Sequence, residues 1–336
     1  MKILITGVHG FVGTNLVKRL SREHTIYGLD IVQPQKNGIE CTYPWDALDK
    51  TGALPKIDAI IHLAGKAHDT RNKSAAEEYF KVNTGLTQKI FDWYVAYSTA
   101  KKFIFFSTAK AAAECVPGIL REDVAPTPQG PYGESKIKAE DYILDILEKQ
   151  GVSRRSMSSI EPGTDRPKND KDVYILRPCM IHGPGNKGNL NLLYGVVSKG
   201  IPWLLGSFEN SRTFTSIGNL CFAVNELLTK DVPSGIYNMG DDDALSTNEL
   251  VDVICSTLGK KTRIWHIPKM VMNCMARIGG RLHLPLTPLR MQKLTENYIS
   301  SNEKLKKALG IERFPIDARE GLRQTIISFK RDEQLL

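Results

Sequence analysis

The sequence has no apolar run long enough to cross a bilayer. After Met1-Lys2 the first hydrophobic stretch stops at Gly7, too short for the core of a secretory signal, and none later approaches the roughly 20 residues of a spanning helix. A cytoplasmic protein without a membrane partner is expected. Cysteine is sparse: Cys41, Cys115, Cys179, Cys221, Cys255 and Cys274 form no C-x-x-C pair and no Cys/His metal spacing, so neither a disulfide framework nor a bound metal is expected. The thiols read as reduced core or surface groups. Also missing are a Lys/Arg block, a basic stripe interleaved with aromatics, a zinc-finger or RNA-binding signature, heptads and internal repeats, which argues against nucleic acid as a partner.

What is present is the balance of a globular chain, 41% hydrophobic and 24% charged, with a net charge of +8 that suits an acidic partner such as a nucleotide diphosphate. At 336 residues a single core is near its useful limit, so two lobes with a cleft between them are expected. Short β-branched runs at Lys2–Thr6, Thr25–Leu29, Ala59–Leu63, Phe103–Ser107, Val173–Arg177 and Ile236–Met239 alternate with helical patterns at Gly13–Arg22, Ser74–Tyr97 and Tyr132–Lys149. Strands that are apolar throughout, separated by helices, specify an α/β fold with a doubly wound parallel sheet. Gln150–Asp172, polar and rich in Gly, Pro and charge, reads as a flexible surface insertion. Beyond Arg177 come a Gly/Asn loop, a strand at Arg212–Thr215, a return to the sheet near Gly235–Gly240 and a helix-rich tail, which together form a smaller, discontinuous, mostly helical lobe.

The segment Thr6-Gly7-Val8-His9-Gly10-Phe11-Val12-Gly13 joins the first strand to the first helix. Gly7 permits the tight turn, Gly10 lets a pyrophosphate approach, and Gly13 lets helix and strand pack closely. The N–H groups of the helix start, at Phe11 and Val12, then meet the anion. Asp30, at the end of the second strand, is placed to accept hydrogen bonds from an adenosine ribose. Its carboxylate would repel a 2′-phosphate, and Ile31-Val32 follow it rather than Arg or Lys, so NAD is favoured over NADP. His9 reads as an exposed turn residue.

In Tyr132-Gly133-Glu134-Ser135-Lys136 the four-residue spacing puts a phenol and an ammonium on one helical face. A free phenol has a pKa of about 10, so a base near neutrality requires a shift of roughly 3 units, which a neighbouring ammonium and an oxidised nicotinamide favour. The strand Lys102–Ser107 runs into Thr108 at the carboxyl edge of the sheet, and strand alternation selects Thr108 over Ser107 to hydrogen-bond a reacting hydroxyl.

Together with His62-Leu63-Ala64-Gly65, Asn83, Arg177-Pro178 and Gly183-Pro184-Gly185, these motifs resemble the extended short-chain dehydrogenase/reductase family, specifically the NAD-dependent nucleotide-sugar epimerases and dehydratases. The resemblance covers nearly the whole chain apart from the Gln150–Asp172 insertion. It implies a Rossmann-like NAD-binding domain of residues 1–178 and 218–243 and a nucleotide-sugar-binding domain of residues 179–217 and 244–336. It implies Tyr132 as acid/base, Lys136 holding the nicotinamide ribose and lowering the phenol's pKa, and Thr108 orienting the sugar hydroxyl. Ala64, Gly65, Asp46 and Asn83 would line or support the cofactor site, Asp46 at the adenine. Asn189 and Leu190 would meet the nucleotide, with Arg212 and Arg290 at the diphosphate. A homodimer through the helices at Ser74–Tyr97 and Tyr132–Lys149 is expected on the same ground.

Departures narrow the chemistry. Dehydratases of this family follow the Thr with an acidic pair, whereas Ala109-Lys110 stand here, and the reactive Cys of fucose-synthase-like members is absent. Cys179 and His182 read as core residues. Ala111-Ala112-Ala113 makes the loop over the sugar unusual. The resemblance therefore implies a C4 epimerase of a UDP-hexose or UDP-N-acetylhexosamine. Its rival is an NAD(P)H-dependent 4-keto reductase of a UDP-6-deoxyhexosamine in surface-polysaccharide synthesis. A non-catalytic NAD-binding sensor is the alternative of another class.

Overall fold

The computed structural model describes residues 1–67, 75–161, 170–186, 188–281 and 287–334. The chain opens with β1 (Lys2–Thr6), α1 (Phe11–Leu20), β2 (Thr25–Leu29), β3 (Cys41–Tyr43) and β4 (Ala59–His62). It continues through α2 (Ala76–Tyr79), a π-helical segment Phe80–Gly85, α3 (Leu86–Ala96), β5 (Lys102–Phe106), α4 (Ala109–Ala112), β6 (Ile119–Leu120), α5 (Gly130–Lys149), α6 (Arg154–Ser158) and β7 (Asp172–Pro178). Then follow β8 (Met180–His182), α7 (Asn189–Val197), β9 (Phe214–Ser216), α8 (Ile217–Thr229), β10 (Gly235–Met239) and α9 (Thr247–Thr257). The chain ends with α10 (Lys269–Arg281), α11 (Pro288–Thr295), β11 (Ile299–Ser300), α12 (Glu303–Leu309) and α13 (Ala318–Gln334).

Seven strands pair in the order β10-β7-β5-β4-β1-β2-β3, all parallel. This is the doubly wound parallel sheet anticipated from the alternation of elements, Rossmann-like as the resemblance implies, with one strand, the three-residue β3, that the pattern was too short to announce. Chain direction across the sheet reverses at β1, whose neighbours are β2 and β4. Loops leaving the two halves diverge there and open a crevice at the carboxyl ends. Thr6 lies in register with His62, so the loops after β1 and β4 emerge side by side at that crevice.

One face of the sheet is covered by α1, α8 and α12 through Leu16, Leu20, Leu220, Leu227 and Leu305. The other is covered by α3 and α5 through Ile90, Phe91, Tyr94, Ile143 and Leu147. A third core joins α7, α9, α10 and α13 away from the sheet.

Two expectations need correction. The helix read as continuous over Ser74–Tyr97 is interrupted by the π-helical segment, because one extra residue per turn leaves the apolar pattern on either side intact; Ser74 itself lies outside the described residues. The Gln150–Asp172 insertion is not a solvated loop throughout. Val152 and Met157 are buried in the α3/α5 core, with α6 built around Met157 and capped by the Ser153 hydroxyl; residues 162–169 lie outside the described residues.

Candidate active site

The glycine loop is shaped by backbone crowding. Gly7 has φ +65° and a Cβ there would lie 2.9 Å from the Ala64 nitrogen, while at Gly13 it would lie 2.6 Å from the Val8 carbonyl oxygen. Gly10 is the N-cap of α1 and offers no side-chain acceptor, and the first turn carries no acid, so the N–H groups at Phe11, Val12 and Gly13 are left to an external anion. Buried Asp30 accepts from the Ile31 N–H at 2.7 Å and the His9 N–H at 3.2 Å, which ties the end of β2 to the loop. The cradle and carboxylate fit a dinucleotide. His9, expected to be exposed, is half-buried: its Nε2 lies 3.2 Å from the Thr42 hydroxyl and its Nδ1 has no partner. Asp46 stands on an exposed turn, paired with Lys50 at 2.7 Å.

Across the switch point, the Thr6 hydroxyl accepts from the Leu63 and Ala64 N–H groups at 3.1 and 3.0 Å. Its own proton therefore goes to His62 Nδ1, 2.7 Å away. Thr87 donates to the Asn83 carbonyl at 2.6 Å, so it accepts from His62 Nε2–H at 2.9 Å. These partners fix His62 as the neutral Nε2–H tautomer, in keeping with burial that holds its pKa well below the usual value. Asn83 sits within the π-helical segment, fully buried. Its amide donates to the Lys66 carbonyl at 3.1 Å and to Ser135 Oγ at 2.9 Å, and accepts from the Lys66 N–H at 2.7 Å. Ser135 in turn donates to the Tyr132 carbonyl at 2.9 Å. One buried amide thus fastens the loop after β4 to the helix that carries Tyr132 and Lys136. A Cβ at Gly65 would lie 3.0 Å from Asn83 Oδ1 and 3.1 Å from Lys136 Nζ, so Gly65 keeps the floor of the crevice open.

Lys136 is 5% exposed, donates to the Phe106 carbonyl at 2.8 Å and lies 5.0 Å from the Phe105 ring centroid. Burial pushes its pKa down to about 8, opposed by the Glu140 carboxylate. Tyr132, half-buried, lies beside the Thr108 hydroxyl and meets the Tyr79 ring edge-on, with centroids 6.5 Å apart. Burial raises the phenol's pKa more than the neighbouring Thr108 hydroxyl lowers it, so the ligand-free chain holds the proton. The expected depression of this pKa by Lys136 is absent from the ligand-free chain; burial dominates. Thr108 is also the N-cap of α4, accepting from the Lys110 N–H at 3.4 Å. Ser107 is turned away, donating to Glu140.

Glu140 continues the Tyr132/Lys136 face by one more turn. It takes a two-pronged ion pair from Arg177 at 2.6–3.1 Å, the pair being buried beneath the crevice. Sequence reasoning gave Glu140 no role, although its four-residue spacing from Lys136 was legible. Ala111–Ala113 form no open loop: α4 is buried, the Thr127 N–H donates to the Ala112 carbonyl at 2.6 Å, and Tyr298 donates to the Ala113 carbonyl at 2.9 Å. The start of α5 approaches the backbone here so closely that a Cβ at Gly133 would lie 2.8 Å from the Lys110 carbonyl oxygen.

In the outer lobe, Asn15 of α1 donates to the Pro184 carbonyl at 3.0 Å and ties the Gly183-Pro184-Gly185 stretch to the glycine loop. Asn189 is exposed at the start of α7, whereas the Leu190 side chain is buried in the third core, leaving only its backbone to face a ligand. Arg212 is clamped by backbone bonds to Leu245 at 2.9 and 3.0 Å, and its guanidinium lies 4.0 Å from Glu296. The side chain of Arg290 lies outside the described residues. Cys179 and His182 are core groups: burial pushes the thiol up to about 12, and His182 bonds Thr325 at 2.9 Å.

Fold and site together define an extended short-chain dehydrogenase/reductase. The chain belongs to the NAD dependent epimerase/dehydratase family, whose model matches residues 3–240, and it is an NAD-dependent enzyme of the isomerase or oxidoreductase class. It is 28% identical to a UDP-glucose 4-epimerase of Vibrio cholerae over 97% of this chain and 95% of that protein. It is 26% identical to an N-acetyl-α-D-glucosaminyl-diphospho-ditrans,octacis-undecaprenol 4-epimerase of Escherichia coli O157:H7, over 79% and 75% of the two chains. The fold matches that of a UDP-glucuronic acid 4-epimerase of Bacillus cereus solved with NAD, with a TM-score of 0.71 and 19% identity over 98% and 99% of the chains.

Proposed function

We propose that the enzyme interconverts a UDP-hexose or UDP-N-acetylhexosamine with its C4 epimer. The observation that carries this reading is the meeting of Tyr132 with Thr108 at the carboxyl edge of the sheet, on a helix that also carries the buried Lys136, without an acidic pair after Thr108. NAD, when bound, supplies a hydride acceptor that also gives the hydride back. The chain's own work is proton handling and positioning. Tyr132 Oη takes the proton of the sugar 4-hydroxyl and later returns it, Thr108 hydrogen-bonds the same hydroxyl, and Lys136, beside Gly65 at the crevice floor, would hold the nicotinamide ribose. The elimination that a dehydratase performs lacks its acid here, because Ala109 and Lys110 stand where the acidic pair would. The cofactor site is assigned to Gly7, Gly10, Phe11, Val12, Gly13, Asp30, Ala64, Gly65, Asn83 and Lys136. The nucleotide diphosphate is assigned to Arg212 and the start of α7, where guanidinium and backbone N–H groups match phosphate oxygens. Names of the relatives that act at C4 of nucleotide- or lipid-linked sugars support the position of the reaction.

The test is incubation of the purified enzyme with UDP-glucose, UDP-galactose and their N-acetylhexosamine counterparts, without added cofactor, followed by NMR. C4-epimer formation that vanishes in Tyr132→Phe is expected. No turnover of any UDP-hexose, together with NADH-dependent reduction of a UDP-4-keto sugar, would overturn epimerisation in favour of a reductase. Turnover unchanged in Tyr132→Phe would overturn the catalytic assignment itself.

A further inference from the structure

The positive excess of the chain is not spread over it. Residues 253–295 contain eight Lys/Arg and no Asp or Glu, while the other 293 residues carry 37 of each sign. One 43-residue segment therefore accounts for the whole net charge of +8. It runs from the end of α9 through an extended edge to α10 and α11.

The same segment exposes its apolar side chains. On α10, Met272 and Ala276 point into the third core, one turn apart, and that exhausts the helix's buried face among the described side chains. Met270, 79% exposed, stands on the outer side with Val271, Met275 and Ile278, where a surface helix of a soluble domain places polar groups. Lys269 and Arg277 are interleaved with them. The backbone of Trp265, 56% exposed, is pinned at the adjoining edge, its backbone N–H donating to the Trp203 carbonyl at 2.8 Å while the Trp203 backbone N–H donates to the Arg263 carbonyl at 2.8 Å. Beyond it, Lys260, Lys261 and Arg263 share a cavity of about 240 Å³ with Ile201, itself half-exposed. Among the described side chains of this segment, the cations Lys260, Lys261, Arg263, Lys269 and Arg277 alternate along the chain with exposed Trp265, Met270, Val271, Met275 and Ile278, and the segment itself has no carboxylate.

We propose that this face docks on the surface of an anionic lipid bilayer. Met, Ile, Val and Trp side chains enter the boundary between headgroups and acyl chains, and the flanking lysines and arginines meet lipid phosphates, the division of labour of a helix lying in the membrane plane. No helix among the described residues is long and apolar enough to cross a membrane, so the attachment is peripheral. Charge argues against a second copy of the chain as the occupant, since a two-fold contact would set this positive face against itself. Docking would also bring lipid close to the assigned diphosphate groove: α10 packs on α11, whose Leu294 carbonyl accepts from Asn210 and Thr247, two residues from Arg212 in the first case.

The test is flotation of the full-length, NAD-loaded enzyme with phosphatidylcholine vesicles, with and without phosphatidylglycerol. Flotation with the phosphatidylglycerol vesicles alone is expected, reversed by high salt. Lys269→Gln with Arg277→Gln should lower the partition coefficient by about fivefold per charge removed. Met270→Ser with Met275→Ser should lower it as well, both variants keeping the thermal melt and the UDP-sugar turnover of the parent. A folded parent enzyme that stays in the aqueous fraction overturns the proposal. So does undiminished flotation of the Met270/Met275 variant, or a self-association that the Lys269/Arg277 variant abolishes. Absence of UDP-sugar turnover in the parent bears on the proposed reaction and leaves the flotation result standing.

Discussion

Replacing Lys136 with Met keeps the length of the side chain beside the Phe105 ring and removes only the ammonium. The free-energy consequence depends on pH. Lys136 is 5% exposed and its pKa is pushed from 10.5 to about 8. Below that value both folded and unfolded chains carry the proton, and the fold bears the full cost of burying it, about 3 kcal/mol at 1.36 kcal/mol per unit. Between about 8 and 10.5 the unfolded chain still binds the proton while the folded chain has released it, so stability rises with pH through that window. From pH 7 to pH 10 the parent gains about 2.5 kcal/mol from this one group, and Lys136→Met gains nothing from it. Lys304, likewise pushed down to about 8 by burial, contributes to both proteins and cancels in the comparison. Urea unfolding of the NAD-free parent and variant at the two pH values measures the difference. The gap between parent and variant should shift by about 2.5 kcal/mol in the parent's favour on going to pH 10. Parallel pH profiles would refute the claim that the ammonium is held against its desolvation cost, and with it the idea that this lysine is a poised charge in the crevice.

Two further outcomes follow from the geometry. Gly13→Ala places a methyl 2.6 and 2.7 Å from the Val8 and Gly7 carbonyl oxygens, neither of which can move without distorting the loop. A loss of about 2 kcal/mol or more in thermal unfolding, with NAD absent from the purified protein, is expected, and an unchanged melt with full cofactor content would contradict the crowding argument. Arg212→Ala should raise the KM for a UDP-sugar about 10- to 100-fold while kcat changes little, because charge-assisted hydrogen bonds to a diphosphate contribute mainly to binding. Steady-state kinetics giving the opposite split would remove Arg212 from the diphosphate site.

The dinucleotide crevice was legible because its signals are local. Gly7, Gly10 and Gly13 answer to backbone contacts within a few residues, and Asp30 follows directly on its strand, so a strand, a turn and a helix can be read from one short stretch. Tyr132 and Lys136 share a helix and Thr108 ends a strand that the apolar pattern marks clearly. What escaped was set by distance or by subtlety. The Glu140–Arg177 pair joins residues 37 positions apart, and nothing in a one-dimensional pattern announces their meeting. Val152 and Met157 are two isolated apolar anchors in a polar stretch, which composition outvotes. Leu190 was read as a ligand contact from its place in a motif, yet burial in the third core directs its side chain inward. His62 was noticed only as part of a motif. Its link between Thr6 and Thr87 emerges once β1 and β4 lie side by side.

The π-helical segment has a consequence for how one stretch of chain serves two neighbours. A single additional residue turns everything upstream by about 100° relative to an unbroken helix. Downstream, Phe91 and Tyr94 keep their rings against Phe103, with centroids 5.1 Å away in each case, while upstream Tyr79 swings round to the phenol of Tyr132. Shortening the segment by one residue would therefore act as a wrench on the upstream half alone, unscrewing Tyr79 from its partner without disturbing the aromatic packing that anchors the rest.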